Sequence, residues 1–310
     1  MKQIQYGAYG GPELMQLVDA HPAAPGPGEV AVKVSFAAIN PIDWKVRRGQ
    51  LKMVTGRRFP RAMGTDFSGT VFSVGVGVTR VAPGDAVFGL ARLKESGAFG
   101  EVVITGETFL AKKPESVSLQ EGACLGTPGV TAWNGLVDKA KLVSGKQVFI
   151  NGCAGAVGEA AVKIARMLGA EVTGACSATD LARARSLGVQ HVVDYRATDL
   201  AKFDKRFDVV YDTAGTMKMA VGIGLLRAGG VFLDINPTPG KFLRAIFDRQ
   251  VRPIVCTPRA DILDGLATAT ASGALRLPVA EIVPLGEAIE LITALEGGHK
   301  LLGKGLIAMD

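Results

Sequence analysis

Three glycines in one short segment, Gly152, Gly155 and Gly158, carry the plainest chemistry in this sequence. They stand in QVFINGCAGAVGEAAVKIARMLG, residues 147–169. An apolar β-run (Val148, Phe149, Ile150) precedes them. A helix pattern follows, with Ala160, Ala161, Ile164, Ala165 and Leu168 on one face. Strand, glycine turn and helix together bring backbone N–H groups at a helix N-terminus to a pyrophosphate. Gly155 and Gly158 hold the second and third positions of G-x-G-x-x-G, with Cys153 at the first. Gly155 lets the backbone approach phosphate, and Gly158 lets the helix press on the strand. With Ala154, Ala156 and Val157 they make the expected dinucleotide cradle. A chain with 40 glycines yields such spacings by chance, so the flanking elements are what separate a cofactor site from a structural turn.

The second strand, read at Glu171–Ala175, bears on which dinucleotide. An NAD site places Asp or Glu at the end of that strand, on the ribose 2′-hydroxyl. Here Cys176 and Ser177 follow it, and no carboxylate comes before Asp180. A 2′-phosphate is then not repelled and a serine hydroxyl can donate to it, which favours NADP(H) with Ser177 at the phosphate. Arg183, Arg185 and Arg196 are the candidate cations, or else ordinary solvated arginines. Tyr195, after the third strand, covers adenine, touches the phosphate, or is a strand-end core aromatic. Asn236 is counted on the cofactor side with them.

The elements that must position these residues fall into two groups. Residues 1 to about 120 read as β-rich, with strands near 30–38, 69–76 and 85–90 between Pro/Gly turns. From about 121 to 256 strands (147–151, 171–175, 191–194, 208–212, 230–235, 251–256) alternate with helices (156–168, 179–187, 215–227, 240–249). That alternation predicts an α/β fold with a doubly wound parallel sheet. A helix at 260–272, a strand at 280–284, a helix at 286–296 and a strand at 304–309 close the chain. At 310 residues, 48% hydrophobic and 21% charged, two soluble domains are expected. No run reaches the roughly 18 apolar residues of a membrane span. The start MKQIQYGAYGG has no apolar core of a secretory signal, and the four cysteines form no C-x-x-C pair. A cytoplasmic protein with reduced thiols is the expectation. The net charge is +6, and the basic cluster from Lys45 to Arg61 lacks interleaved aromatics, so no nucleic-acid partner is expected. It reads as solvated surface or as the rim of an anionic-cofactor cleft.

The whole chain resembles the medium-chain dehydrogenase/reductase superfamily, in its zinc-free quinone-oxidoreductase (zeta-crystallin-like) branch. The resemblance rests on YGGPELMQL at 9–17, NPIDWKVRRG at 40–49, MGTDFSGTVFSVGVGVTRVAPGDAVFG at 63–89 and GTPGVTAW at 126–133. INGCAGAVG at 150–158, CSATDLARARSLGVQHVVDY at 176–195 and GHKLLGKGLI at 298–307 complete it. It implies a GroES-like catalytic domain (1–122, completed by 273–310), a Rossmann NADP-binding domain (123–272), and a cleft holding nicotinamide and substrate. Zinc members place catalytic ligands where this chain has Asn40, Thr65-Asp66 and Thr127. A zinc site takes three N, S or carboxylate ligands, so no metal is expected. Without a Lewis acid, quinones and α,β-unsaturated carbonyls are the easier hydride acceptors, because they delocalise the arriving charge.

The same resemblance implies site residues. Asn40, in the segment lining the nicotinamide cleft, either donates to a substrate carbonyl oxygen or shapes the turn before Pro41. Asp43 and Trp44 follow on that segment, Asp43 as hydrogen-bond acceptor or acid. Thr127 and Thr131 match nicotinamide-side positions, and Lys304 matches a cofactor-contacting lysine or is a plain β-edge lysine. Relatives carry pocket tyrosines in the 45–51 region, absent here, and Lys or Arg at the position of Thr179. A small quinone or carbonyl substrate is expected. The alternatives are an enoyl-thioester, met by a basic channel of the 45–61 cluster with Arg244, Arg249 and Arg252, and a cofactor-binding interaction protein without turnover. The apolar strand at 251–256 is expected at the sheet edge, where relatives pair it across a two-fold axis into a homodimer.

Overall fold

The computed structural model describes residues 1–203, 206–236 and 238–309. In chain order its strands begin with β1 (Lys2–Tyr6), β2 (Met15–Asp19), β3 (Glu29–Ala38) and β4 (Arg61–Ala62). Then come β5 (Asp66–Val74), β6 (Ala86–Leu90), β7 (Val102–Gly106) and β8 (Leu110–Lys112). Next are β9 (Gln147–Asn151), β10 (Glu171–Cys176), β11 (His191–Asp194) and β12 (Phe207–Asp212). The last are β13 (Leu226–Asp234), β14 (Val251–Pro253), β15 (Val279–Pro284) and β16 (Lys304–Ala308). Helices α1 (Pro41–Arg47), α2 (Lys52–Thr55), α3 (Leu119–Ala123), α4 (Gly126–Trp133) and α5 (Ala156–Met167) precede α6 (Leu181–Ser186) and α7 (Met219–Gly224). The chain ends with α8 (Pro239–Phe247), α9 (Ala260–Ala271) and α10 (Ala288–Glu296).

Two compact units result, Met1–Thr127 with residues 258–310, and Pro128–Thr257. The first holds a seven-stranded sheet ordered β15-β16-β3-β5-β6-β8, with β7 also on β3, and a small sheet β2-β1-β4. Its core is continuous from Ile4 and Tyr6 through Val32, Phe67 and Phe99 to Ile292 and Ile307. The boundary expected at 272 moves to 258 because α9 packs on β8 and the turn at Glu107–Phe109 of the first unit. An Arg80–Asp264 ion pair at 2.8 Å fastens it there.

The second unit is a six-stranded sheet ordered β11-β10-β9-β12-β13-β14, every pair parallel. Numbered from β9, that is the 3-2-1-4-5-6 order of a dinucleotide-binding sheet, whose switch point lies between β9 and β12. Phe149, Phe207, Val210 and Phe232 fill the centre of the unit, and such two-faced burial explains the unbroken apolar text of these strands. The edge position of β14 is as expected. Beside it α8 turns its large apolar side chains Phe242, Leu243, Ile246 and Phe247 outward, 47–79% exposed.

Candidate functional site

In the first unit the chain leaves β3 at Ala38 and enters α1 at Pro41, a residue suited to a first helical turn because its missing N–H costs nothing there. Asp43 sits three residues past the N-cap Asn40 and accepts its backbone N–H at 2.8 Å. The other Asp43 oxygen accepts the Thr65 hydroxyl at 3.1 Å. Beside it Asp66, fully buried, opens β5 and accepts both the backbone N–H (2.7 Å) and the hydroxyl (2.5 Å) of Thr127. Lys304 opens β16 and reaches in with Nζ, donating to the Ile39 carbonyl at 2.7 Å and to Asn40 Oδ1 at 2.6 Å.

The electrostatics follow from burial. Desolvation, followed by the neighbouring Asp66 charge, pushes the Asp43 carboxyl up to about 7. Burial raises Asp66 too, against the pull of Lys304 and the hydrogen bonds from Thr127 and Asn40. Burial lowers Lys304, opposed first by Asp66. Since an ammonium only donates, Lys304 fixes which end of the Asn40 amide is oxygen. The amide nitrogen then donates to the Ala38 carbonyl at 3.1 Å. One amide proton of Asn40 is thus committed within the chain. Thus Asn40, Asp43, Thr127 and Lys304 come together with Thr65 and Asp66. Trp44 does not join them, being packed against the apolar core.

The second unit builds the glycine turn from β9 into α5. Gly152 supplies the left-handed turn, with φ +79°. That is why Cys153 is tolerated at the first motif position, where its side chain lies buried against Gly174. A Cβ on Gly158 would stand 2.0 Å from the Gly152 carbonyl oxygen, so the chain's own packing demands glycine there. Gly155 differs. It is the N-cap of α5 in ordinary extended backbone (φ −81°), and a Cβ there would meet only the Gly152 oxygen at 3.4 Å. No side chain caps the helix, and the first-turn N–H groups of Ala156, Val157 and Gly158 have no intrahelical acceptor. Nothing in the chain needs a glycine at 155, whereas a pyrophosphate approaching those N–H groups does.

Other predicted residues lie at the carboxyl ends of the same strands. Ser177 follows β10, Tyr195 follows β11 and is 45% exposed, and Asn236 follows β13, with its N–H on Asp234 at 2.7 Å. Thr131 is buried on α4, and its carbonyl accepts the Tyr211 hydroxyl at 2.8 Å. Arg183, one of the candidate phosphate cations, is taken by the buried Glu159 of α5 at 2.7 Å. Sequence reasoning passed over Asp212. It closes β12 fully buried and accepts from Asn151 Nδ2 (2.8 Å) and from the N–H groups of Gly215 and Met217, holding the next loop beside the glycine turn. An Asp ending an apolar strand before Thr-Ala-Gly was the available signal.

Comparison with known proteins bears on this architecture. Residues 26–115 match the alcohol dehydrogenase GroES-like domain, and residues 187–306 match the family described as zinc-binding dehydrogenase. The chloroplast envelope quinone oxidoreductase homolog of Arabidopsis thaliana is 28% identical over 96% of both chains. The quinone-oxidoreductase QR1 of Triphysaria versicolor is 30% identical over 84% of this chain and 80% of its own. The 2-methylene-furan-3-one reductase of Solanum lycopersicum is 34% identical over 78% of this chain and 64% of its own. The quinone oxidoreductase of Coxiella burnetii superposes with a TM-score of 0.88 at 28% identity, covering 100% of this chain and 99% of that one. That of Escherichia coli, complexed with NADPH, does so with 0.82 at 25%, covering 99% and 100%.

The chain is a medium-chain dehydrogenase/reductase of the quinone-oxidoreductase branch. It is accordingly an oxidoreductase using a nicotinamide cofactor, and the uncapped N–H groups of the first turn and the vacant Cβ position at Gly155 fit such a cofactor's pyrophosphate. The zinc in one family description finds poor ligands here. At the positions of the family's catalytic ligands Asn40 offers an amide and Thr65 and Thr127 offer hydroxyls. Among the described residues no three His, Cys, Asp or Glu side chains are grouped to hold a metal ion. No described helix is long and apolar enough to cross a membrane.

Proposed function

We propose that this chain is a zinc-independent reductase of quinones or α,β-unsaturated carbonyls. The observation that carries the reading is the chemistry of the four family ligand positions. Three are an amide and two hydroxyls, and the carboxylate of Asp66 already accepts two hydrogen bonds from Thr127. No electrophile is built there for an unactivated ketone, so acceptors that delocalise incoming charge suit the site. When bound, the nicotinamide supplies hydride. The chain's part is to hold the pyrophosphate on the N–H groups of residues 156–158 and to keep the buried Asp43–Asp66–Lys304 cluster in a fixed charge arrangement. The quinone oxidoreductases and the furanone reductase among the relatives support both substrate classes, and the Escherichia coli relative supports NADPH as the starting expectation for the donor.

Steady-state NADPH and NADH oxidation with a benzoquinone, an alkyl enone and crotonyl-CoA tests the reading. Turnover of the first two, unchanged after prolonged chelation, is expected. Turnover of the thioester alone would move the chain to the enoyl-thioester reductases, binding without any turnover would make it a non-catalytic module, and one zinc per chain would overturn the metal-free claim.

The chain is further proposed to be a homodimer. β14 ends the sheet with an open edge, and the outward apolar side chains of α8 stand next to it. Ile254 cannot serve to probe this contact, because it is 2% exposed within its own unit. Light scattering of Ile246→Lys with Phe247→Glu is the proper experiment. The wild type should run as a dimer and the variant as a monomer near 32 kDa; a monomeric wild type refutes the proposal.

A further inference from the structure

The positive charge of this chain is concentrated in one stretch. Between Asp43 and Asp66 stand seven basic residues and no acidic one. The rest of the chain carries 28 basic and 29 acidic side chains, so this stretch accounts for the whole of the net +6. Three of the seven are used by the fold. Arg47 and Arg48 share the carboxylate of Glu296. Arg61 is buried, with its guanidinium on the carbonyls of Thr55 and Lys94, both at 2.6 Å. The other four, Lys45, Lys52, Arg57 and Arg58, are exposed, and among the described residues none of them has a carboxylate partner. An excess of one sign gathered in one place acts on what associates with a protein, not on its fold.

The same stretch holds apolar side chains in water. It leaves α1, makes the single turn of α2 and returns to β4 at Arg61. Its base is fastened at Thr55, which is buried. The Thr55 hydroxyl donates to the Leu51 carbonyl at 3.1 Å, and the Thr55 carbonyl accepts from Arg61. The Tyr9 hydroxyl donates to the next carbonyl, that of Gly56. Above that base Met53 stands 97% and Val54 66% exposed, flanked in the chain by Lys52 and by Arg57 and Arg58. The tip is already shaped, so a partner need not order it.

The apolar tip decides which anion fits. A soluble phosphate would use the cations and leave Met53 and Val54 in water. A nucleic-acid strand would stack on rings, and the two aromatic residues of the stretch, Trp44 and Phe59, are packed against the core. An anionic bilayer uses both features: its headgroups meet the cations and its acyl boundary meets the apolar tip. We infer that residues 45–58 are a docking surface for an anionic lipid membrane, with Met53 and Val54 entering the headgroup boundary. Such docking is reversible, needs no spanning helix and is independent of which acceptor the chain reduces.

Flotation of the full chain with phosphatidylserine–phosphatidylcholine vesicles, and with phosphatidylcholine alone, tests it. Binding to the anionic vesicles only is expected, and it should fall at least about tenfold between about 0.1 and about 0.5 M salt. One cation near such a surface is worth about fivefold in binding, so Arg57→Glu with Arg58→Glu should lower it by about 25-fold or more. Met53→Asp should lower it severalfold with every cation in place. Thermal unfolding should match wild type in both variants, since these side chains are exposed. Binding to neutral vesicles as strong as to anionic ones, or anionic binding that the double arginine variant retains, overturns the inference. No vesicle binding does so too, and tight binding of coenzyme A in its place would give the cations to a soluble phosphate ligand.

Discussion

The buried polar cluster of the first unit and the glycine turn of the second are opposite solutions to placing polar groups in a folded chain. Around Asp66 the chain answers its own polarity. Lys304 meets Asn40, Asp66 meets Thr127 and Asp43 meets both Thr65 and the Asn40 N–H. At the turn the chain withholds answers: α5 has no side-chain cap and Gly155 carries no side chain although its own packing would allow one. A region that satisfies itself holds shape, and a region that does not is waiting for a ligand. Changes in the first should therefore register mainly in stability and changes in the second in cofactor binding.

The largest effect expected from that contrast is at Lys304. Lys304→Met leaves two buried carboxylates without their cation, and breaking a buried charge arrangement from one side costs about 3–5 kcal/mol. Urea denaturation should show that loss. Pairing the change with Asp66→Asn should recover part of it, because the uncompensated charge is then gone. A loss below about 1 kcal/mol would show that the cluster is not what holds this part of the first unit.

Gly158→Ala comes next. The added methyl meets a backbone oxygen at 2.0 Å and not a side chain that can swing aside. Overpacking of that kind costs about 1–3 kcal/mol, and shifting α5 off β9 should also abolish dinucleotide binding.

A pH dependence sharpens the same comparison from the other side. Asp43 is pushed up to about 7 in the folded chain, chiefly by burial, against about 3.9 when unfolded. The folded state thus holds the proton more tightly than the unfolded one. Stability is unaffected by this group below about pH 4, falls as pH rises from there toward 7, and levels off above. Shared among three coupled groups, the drop should be on the order of 1–2 kcal/mol. Asp43→Asn should flatten that slope, and a slope identical to wild type would assign it to other groups.

How far the sequence reaches also differs between the regions. β9 and β11 lie at the predicted 147–151 and 191–194, since buried parallel strands are apolar runs cut off sharply by turns. β5 begins at Asp66, three residues before the expected start, because a buried aspartate opening a strand reads as loop. The Asp66–Lys304 partnership joins the two ends of the chain through the neighbours β5, β3 and β16, and no local pattern announces that. α8 has the amphipathic text of a packed helix, yet its apolar face turns outward, which periodicity cannot show. Asp180 was legible as a residue and illegible as a neighbour of Ser177, because a short 3₁₀ turn brings them together.

The smallest expected change in stability is the most telling for function. Gly155→Ala adds a methyl whose nearest neighbour is 3.4 Å away, in backbone with φ −81° that any residue adopts. An alanine N-cap in place of glycine costs the fold no more than about 1 kcal/mol. Yet a glycine at the second motif position is what lets a pyrophosphate approach the backbone N–H groups of residues 156–158. NADH and NADPH affinity should therefore both fall by about tenfold or more, with thermal stability close to wild type. Gly158→Ala, three residues on, should lose binding and stability together. Were Gly155→Ala to bind both dinucleotides as the wild type does, the vacant position would be no cradle, and the turn would be as self-sufficient as the cluster around Asp66.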